Sequence, residues 1–308
     1  IPLDITIRLS NLSKISLEEI QNNIISIKTR AGIGVNVEFP IKENEKIASL
    51  IGHVFGDGYV GRNKKQFEYS NNNQQLIKEV KSQIHELFGV SPYTKNQNRI
   101  GYPVIIGEIL DSFGAPIAPK IYSENLVPEW ILKSEKYKIA FLKAFFDDDG
   151  SVMLSNNYRA KGLNLNVIRH INQKNALYSL LEQIRFILKE FDVYSGKLKI
   201  SRQYKKDDGF HIVMYINITD YQSLINFYNK IGLTNGEKFE KLKSIVNSNI
   251  FYSKGNERIL NNQILEFLSK RGFASTAEIA DNIGKSKSKA LKKLKQLQNK
   301  GLVEITGK

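Results

Sequence analysis

Two segments of the chain are apolar nearly all round when they are wound as helices. The first runs from Glu45 to Gly56 and the second from Glu135 to about Asp148, with Ser134 as a candidate N-cap. A helix without a polar face is buried on most sides. Gly52 and Gly56 stand one above the other on the first helix, where the missing side chains let another backbone approach closely. The pattern predicts a pair of tightly packed helices.

Each apolar segment ends in the same way, with an acidic residue followed by glycine. Leu50 to Gly58 reads LIGHVFGDG, and Leu142 to Gly150 reads LKAFFDDDG. Asp57 and Asp149 lie 92 positions apart (149 minus 57). This spacing predicts two similar units of roughly a hundred residues each.

The same order of elements follows each repeat. In the second half we predict strands at 163–170, 197–202 and 211–218, and helices at 173–191 and 221–231. In the first half we predict strands near 59–62, 67–71, 92–96 and 102–106, and helices at 74–88 and 107–113. Each half is therefore expected to be αββαββα, and the fold class to be α+β.

The strand faces turned away from the helices are expected to be polar and basic. The candidate DNA contacts of the second half are Asn164, Asn166, Lys197, Lys199, Ser201 and Gln203; those of the first half are Arg62, Lys64, Lys95 and Arg99. A basic, hydrogen-bonding ribbon suits the major groove of DNA. The alternative is that any strand face turned away from a core is polar. The prediction of a DNA-binding surface is therefore better supported than the prediction of any single contact.

If the two apolar helices pack together, Asp57 and Asp149 meet at their C-terminal ends. Two carboxylates at the negative ends of two helix dipoles are unfavourable without a cation. Oxygen ligands of this kind suit Mg²⁺, for which Mn²⁺ or Ca²⁺ could substitute. The alternative is that each Asp-Gly merely ends a helix in a turn.

The composition narrows the choice of chemistry and partner. The 308 residues include no cysteine and four histidines, none at metal-ligand spacing from another, so a zinc enzyme is not expected. No apolar run approaches the roughly 20 residues of a membrane span. We expect an intracellular protein, in the cytoplasm or nucleoid, or in an organelle if it is intron-encoded. The net charge of +14 favours a polyanionic partner such as nucleic acid.

The basic excess is concentrated at the C-terminal end, where residues 257–308 hold 11 Lys/Arg against 5 Asp/Glu. Three short helices and the strand beginning of 301–305 predict a winged helix-turn-helix there, with Lys287 to Asn299 as the recognition helix capped by Ser286. Lys287, Lys289, Lys292 and Lys293 are the candidate DNA contacts. The alternative is a solvated lysine face. Residues 241–256 have no strong helical or strand repeat, and residues 246–256 are predicted to be a linker.

Residues 1–44 form an N-terminal segment of little functional information. Ser16 is predicted to cap a helix beginning at Leu17, a further helix is possible around 3–12, and 35–39 alternates as a short strand. Two short helices resemble part of a helix-turn-helix, but a packing segment is the alternative. Because residue 1 is Ile1 rather than methionine, we expect the natural chain to begin upstream.

The two repeats resemble the motif of the LAGLIDADG homing endonucleases, in the single-chain form with two motifs. The segment 127–131, VPEWI, is also similar to the usual lead-in to the second motif, and the resemblance covers roughly residues 45–245. It implies saddle-shaped antiparallel sheets over 45–134 and 135–245, followed by the winged helix-turn-helix at 257–308. It also implies that Asp57 and Asp149, with Gly56 and Asp148 beside them, bind Mg²⁺ at the centre of a long asymmetric DNA site and cut both strands with a stagger.

The resemblance further implies water-ordering residues where the second strand of each half ends. Those positions hold Asn71 and Asn72 in the first half and Asn172, Gln173 and Lys174 in the second; Asn72, Gln173 and Lys174 are the catalytic candidates. The best-aligned positions, Asn72 and Gln173, hold no lysine. Asp148 also stands where the family has a small residue. These departures put cleavage in question.

Two classes of function remain open from the sequence. The first is a monomeric, site-specific DNA endonuclease; the second is a non-cleaving DNA-binding regulator or an RNA maturase of group I introns built on the same fold. Inteins carry the same motif, but protein splicing needs a nucleophile at residue 1 and a His-Asn near the end. Ile1 and the ending Thr306-Gly307-Lys308 supply neither. We therefore expect a freestanding or intron-encoded enzyme.

Overall fold

The computed structural model describes residues 12–13, 15–29, 32–38, 40–63, 66–154, 160–247 and 257–306. Among these residues, no helix is both long and apolar enough to cross a membrane. The first described helix, α1, spans Leu17–Asn22 and is capped as predicted, since the Glu19 N–H donates to Ser16 Oγ at 3.0 Å. The N-terminal strands are short: β1, Ser26–Ile27, pairs with β2, Val35–Asn36. The helix considered around 3–12 lies almost wholly outside the described residues.

The first unit has the predicted order of elements. It consists of α2 (Glu45–Phe55), β3 (Gly58–Val60), β4 (Phe67–Ser70), α3 (Gln74–Phe88), β5 (Tyr93–Asn96), β6 (Arg99–Gly101) and α4 (Val104–Ser112). The four strands form an antiparallel sheet in the order β3-β4-β6-β5. This unit is αββαββα.

One predicted strand of the first unit is wrong, because Pro103 ends the ladder early. The Tyr102 N–H still donates to Phe67 O at 2.9 Å, but proline has no N–H with which to continue. Its fixed φ of −53° instead leads into α4 at Val104. The strand expected at 102–106 therefore lies at Arg99–Gly101.

The second unit repeats this order with longer strands. It consists of α6 (Glu135–Asp149), β7 (Gly150–Leu154), β8 (Ala160–His170), α7 (Lys174–Glu190), β9 (Lys199–Lys206), β10 (Gly209–Ile218) and α8 (Tyr221–Lys230). Its antiparallel sheet has the order β7-β8-β10-β9. The mixed α+β class and the repeated αββαββα order are confirmed. Between the units lie a single 3-10 turn at Lys120–Tyr122 and a short helix, α5, at Glu129–Leu132.

The two units share one hydrophobic core, at whose centre α2 packs against α6. A Cβ built on Gly52 would lie 2.5 Å from the carbonyl oxygen of Phe141 and 2.9 Å from Cβ of Ala144. No side chain fits at this distance, so Gly52 lets the two backbones come together. Below, α2 and α6 are called the motif helices.

A further helix, α9 (Gly236–Asn247), follows the second unit. It contradicts the absence of helical repeat from residue 241 onwards, because Leu242 and Ile245 are buried three residues apart on one face. Residues 248–256, the rest of the predicted linker, lie outside the described part of the chain.

The C-terminal residues form a separate three-helix unit with α10 (Glu257–Arg271), α11 (Thr276–Asn282) and α12 (Lys287–Gln298). Its own core consists of Ile264, Ile279, Ala280, Ile283, Ala290, Leu294 and Leu297. Residues 301–305 form no strand, although Val303 and Ile305 pack against this core. A strand needs a partner for its ladder, and the described residues of this unit supply none. Ser286 makes no side-chain cap and instead contacts the Ser288 hydroxyl at 3.2 Å.

Candidate active site and nucleic-acid interface

The C-terminal ends of the motif helices bring Asp57 and Asp149 together. Asp57 lies in the turn after α2, and Asp149 is the last residue of α6. Gly58 and Gly150 start the next strands without an intervening loop. A Cβ on Gly150 would lie 2.4 Å from Phe146 O, so this helix-to-strand turn requires glycine.

Both acids prefer to be protonated more than a free aspartate does. Burial raises the pKa of Asp149 to about 7, although the Lys120 charge acts in the opposite direction and Asp57 acts in the same one. Burial and the neighbouring Asp148 raise the pKa of Asp57 to about 6. Burial therefore disfavours the charged form of each carboxylate, and a bound cation would favour it.

Two lysines that the sequence did not single out bind the carbonyl ends of the motif helices. Lys120 Nζ donates to Val54 O at 3.0 Å and to Gly56 O, at the end of α2. Lys238 Nζ donates to Asp148 O at 3.2 Å and to Asp147 O, at the end of α6. Burial lowers the pKa of both ammonium groups, while the acids beside them raise it. Both lysines place positive charge beside the acid pair.

The two lysines occupy equivalent places in the repeat. Lys120 lies eight residues after Ser112, the end of α4 (120 minus 112), and Lys238 lies eight residues after Lys230, the end of α8 (238 minus 230). A comparison of the two halves beyond their closing helices would therefore have found them.

The three consecutive acids of the second motif have different surroundings. Asp147 is buried and accepts the backbone N–H groups of Thr234 and Asn235, each at 2.8 Å. Asp148 is buried among side chains of the first unit, where His53 Nδ1 lies 3.0 Å from Oδ2. Asp149 accepts no hydrogen bond from the described residues. Of the three acids, Asp149 is therefore the one whose carboxylate is free of hydrogen bonds to the described residues and can bind a ligand.

Of the expected water-ordering residues, the structure places those of the first half near the acids. Asn71 Nδ2 donates to Asp57 Oδ2 at 2.8 Å, and Asn72 Oδ1 accepts from Asn98 at 3.1 Å. In the second half, Gln173 ends a 3-10 turn and Lys174 begins α7, with no side-chain hydrogen bond to Asp149.

Arg169 on β8 is a second cation near Asp149, besides Lys120. It is almost fully buried, and burial lowers the pKa of its guanidinium to about 10 while Asp149 raises it. Arg169 lies in the predicted strand at 163–170, where no motif marks it as functional. The Gly56 carbonyl, also expected near the metal, accepts from Lys120.

An open cavity of about 500 Å³ adjoins Asp57 and is rich in amide side chains. Its lining residues are Asp57, Ser70, Asn71, Asn72, Asn96, Asn98, Arg99, Asp147, Asp148, Asn235 and Lys238. Amides and cations around a carboxylate are suited to a phosphodiester group, whose oxygens accept hydrogen bonds.

The open face of the second sheet differs from the prediction along its edge strand. Asn164 and Asn166 lie opposite Asn217 and Tyr215 on this face. The register of β9 shifts where Val213 pairs with Arg202 but Met214 pairs with Ile200, which makes Ser201 an extra residue. A bulge of this kind reverses the side-chain alternation beyond it.

The bulge replaces one expected DNA contact. Gln203 pairs with Ile212, whose side chain lies in the core, so Gln203 is on the opposite face. Arg202 and Tyr204 share the open face instead, with the guanidinium 5.3 Å from the ring centre. Lys199 is exposed on β9, and Lys197 is exposed just before this strand begins.

The open face of the first sheet is less basic among the described residues. Arg99 donates to the buried Glu68 carboxylate, and Gln66 donates to the same carboxylate at 2.9 Å. Arg62 is exposed in the turn after β3. Lys64 and the side chain of Lys95 lie outside the described part of the chain. Arg99 therefore balances the charge of Glu68, so its own charge is only partly available to DNA.

The predicted recognition helix, α12, exposes most but not all of its predicted contacts. Lys287, Lys289 and Lys292 are exposed. Lys293 is 8% exposed and donates to Gln296 at 3.0 Å, so it is on the inner side of the helix. Lys295 is exposed in its place.

Two family descriptions match parts of the chain. Residues 136–232 match the description "LAGLIDADG-like domain", and residues 258–304 match "Winged helix-turn-helix DNA-binding". The solved N-terminal LAGLIDADG domain of DUF199/WhiA is 15% identical, with a TM-score of 0.35, and the alignment covers 63% of this chain and 86% of that one. This superposition is too loose to give residue correspondences.

Three curated relatives match the chain over part of their length. A glutamine–fructose-6-phosphate aminotransferase of Methanocaldococcus jannaschii is 22% identical over 68% of this chain and 18% of its own length. Replication factor C small subunit of the same organism is 22% identical over 66% of this chain and 10% of its own. The tRNA-splicing ligase RtcB of Pyrococcus furiosus is 21% identical over 84% of this chain and 27% of its own. The chain thus spans about a quarter or less of the length of these relatives. By the family descriptions that match it, the chain carries a LAGLIDADG-like domain followed by a winged helix-turn-helix DNA-binding domain.

Proposed function

We propose that this chain binds a long asymmetric site in double-stranded DNA and cuts both strands by metal-dependent hydrolysis. The observation that carries the proposal is the meeting of Asp57 and Asp149 at the ends of the motif helices, with Lys120 and Lys238 beside them. The two halves of the site lie in one chain, so we propose that it acts as a monomer.

The residues present fit a divalent cation. Asp57 and Asp149 supply hard oxygen ligands, and their pKa values are raised by burial and by the neighbouring acids. Asp57 and Asp149 would hold Mg²⁺, with Mn²⁺ or Ca²⁺ as substitutes. When bound, the metal would activate water and stabilise the leaving oxygen of a phosphodiester.

The protein's own groups would position the DNA and stabilise its charge. Asn71 fixes the direction of the Asp57 carboxylate, and Lys120 and Lys238 would place fixed positive charge beside the phosphate on which negative charge grows. The cavity beside Asp57 supplies amide donors for the same phosphate. Gln173 and Lys174 remain candidates for a corresponding role in the second half.

Two surfaces would bind the DNA. The open faces of the sheets present amides, arginines and lysines suited to base edges and phosphates, and α12 presents an exposed row of lysines. Because the winged helix-turn-helix is joined to the first surface by the chain, its binding would be intramolecular and would raise the overall affinity.

The three relatives support a function of this chain that is independent of the activity for which each relative is named. Their names describe an aminotransferase, a replication factor subunit and an RNA ligase, and the matched parts are 10–27% of their lengths. The three names describe different activities, so no single one of them accounts for the similarity of all three proteins to this chain. A segment found in unrelated proteins is expected of a mobile genetic element, which suits a homing endonuclease.

The proposal is tested by selecting a duplex from a randomised DNA library with the full chain and then incubating that duplex with the protein and Mg²⁺. We expect the wild type to make a double-strand break. Asp57→Asn and Asp149→Asn should each abolish the cleavage of at least one strand while still binding the duplex. A wild-type protein that binds the duplex but leaves it intact in Mg²⁺ and in Mn²⁺ would refute cleavage.

That outcome would favour the second candidate, a DNA-binding regulator that does not cut. Its specific support is that Asp149 lies near two buried cations, Lys120 and Arg169, which oppose metal binding. The described residues contain no group of three or more His, Cys, Asp or Glu side chains that could hold a metal ion, so the metal site proposed above has only two carboxylate ligands.

A further inference from the structure

The buried acid Asp148 breaks the symmetry of the two units. Its side chain has no exposed surface, although it belongs to α6 at the junction of the two halves. The equivalent residue at the end of α2 is Gly56, and a Cβ on Gly56 would lie 2.4 Å from Cβ of Asp148. Only one of the two motifs can carry a side chain at this place.

Among the described residues, the Asp148 carboxylate has four hydrogen-bond donors, and all of them belong to the first unit. Oδ2 accepts from His53 Nδ1 at 3.0 Å and from the Asp57 backbone N–H at 3.2 Å. Oδ1 accepts from the Tyr69 hydroxyl at 2.7 Å and from Asn71 Nδ2 at 3.3 Å. The carboxylate is thereby saturated, and it fixes side chains of the opposite half rather than being free for a ligand.

Two of these donors lead directly to Asp57. The Asp57 backbone is held through its N–H, and the Asn71 amide that contacts Asp148 also donates to Asp57 Oδ2 at 2.8 Å. The orientation of one acid of the central pair is therefore set by a residue of the other half. A positioning contact of this kind matters for rate because small displacements of a reacting group are costly.

The reverse contact is missing in the described residues. Gly56 has no side chain with which to organise the second half, and Asp149 accepts no hydrogen bond from any described residue. The half around Asp57 is preorganised before DNA arrives, whereas the half around Asp149 is not.

We propose that Asp148 is a positioning residue that orients Asp57 across the junction of the two units, so that the DNA strand served by Asp57 is cut first. The inference rests on the proposed endonuclease function. It goes further in assigning an order to the two strands and a role to a residue that touches neither of them.

The experiment uses the duplex recovered by selection, with its two strands carrying different dyes, and the full chain in excess with Mg²⁺. Wild type should cut one strand several-fold faster than the other and accumulate nicked duplex. Asp57→Asn should abolish cleavage of the fast strand, which assigns that strand to Asp57.

Tyr69→Phe then removes a single hydroxyl from Asp148 at nearly constant volume. We expect the cleavage rate of the fast strand to fall by about tenfold or more. The cleavage rate of the other strand, measured on a duplex whose fast strand is already nicked, should stay unchanged. Tyr102→Phe is the matched control, because Tyr102 is a buried tyrosine of the same unit whose hydroxyl has no partner among the described residues. It should leave both rates unchanged.

Asp148→Asn, which keeps the shape but loses one acceptor oxygen, should act on the same strand as Tyr69→Phe. Circular dichroism of each variant establishes that it is folded under assay conditions. Equal wild-type rates on both strands, or equal slowing of both strands by Tyr69→Phe, would overturn the inference while leaving the endonuclease intact. Absence of wild-type cleavage on both strands would instead overturn the endonuclease and the strand order with it.

Discussion

Replacing Asp149 by asparagine should stabilise the metal-free protein while abolishing its proposed activity. Burial raises the pKa of this carboxyl from 3.8 to about 7, so the folded protein binds a proton between these two values that the unfolded chain has lost. At about 1.4 kcal/mol per pKa unit, the charged carboxylate costs the fold roughly 4 kcal/mol above pH 7. Asparagine resembles the protonated acid and avoids that cost.

The pH dependence follows from the sign of the shift. The stability of the wild type should fall as pH rises from about 4 to 7, because the unfolded state holds fewer protons there, and should then level off with respect to this group. Asp149→Asn should therefore be more stable than the wild type at pH 8 and nearly equal to it at pH 4.

Urea unfolding in EDTA at pH 4, 6 and 8 measures this difference. Asp207→Asn is the control, because Asp207 is an exposed acid in the turn between β9 and β10, and its change should stay within about 0.5 kcal/mol. Addition of Mg²⁺ should stabilise the wild type at pH 8 but not Asp149→Asn. A variant that is no more stable than the wild type at pH 8, or equally stabilised at pH 4, would refute the reasoning.

Three further predictions concern the lysines, the helix contact and the C-terminal unit. Lys120→Met and Lys238→Met should each lower the single-turnover cleavage rate by about 10²-fold, with gel-shift affinity for the selected duplex nearly unchanged; a uniform loss of affinity would contradict a role at the reacting phosphate. Gly52→Ala should destabilise the protein by about 1–3 kcal/mol in urea, because its Cβ would lie 2.5 Å from a carbonyl oxygen. Lys287→Gln with Lys292→Gln should lower the slope of log affinity against log salt by up to about 2, and an unchanged slope would mean that α12 does not bind phosphates.

The helices and the repeated order of elements were predictable because they depend on local periodicity. The motif helices are apolar nearly all round, which predicts their burial, and Gly52 indicates their contact from the sequence alone. The strands were found by alternation in both halves. Two strands are exceptions: alternation gives no bounds for β7, and Pro103 ends the ladder before the strand expected at 102–106.

Features that depend on register or on distant segments could not be read in the same way. The bulge at Ser201 moves Gln203 off the open face, and a strict alternation along β9 gives no sign of it. Lys120 and Lys238 approach the acids from segments that carry no motif, eight residues after the closing helix of each unit. Their equivalence becomes visible only when the two halves are compared beyond their closing helices.

The choice among the acids at the junction follows from counting donors. Asp147 accepts hydrogen bonds from two backbone N–H groups, and Asp148 accepts from four donors of the first unit. Asp57 has a single side-chain donor, Asn71, and Asp149 has none among the described residues. Lys120 and Lys238 lie near this pair, but they direct their hydrogen bonds to helix carbonyls. The two carboxylates that remain undersupplied with donors are therefore one from each motif, and those are the two that a shared cation would bind with least competition from the protein itself.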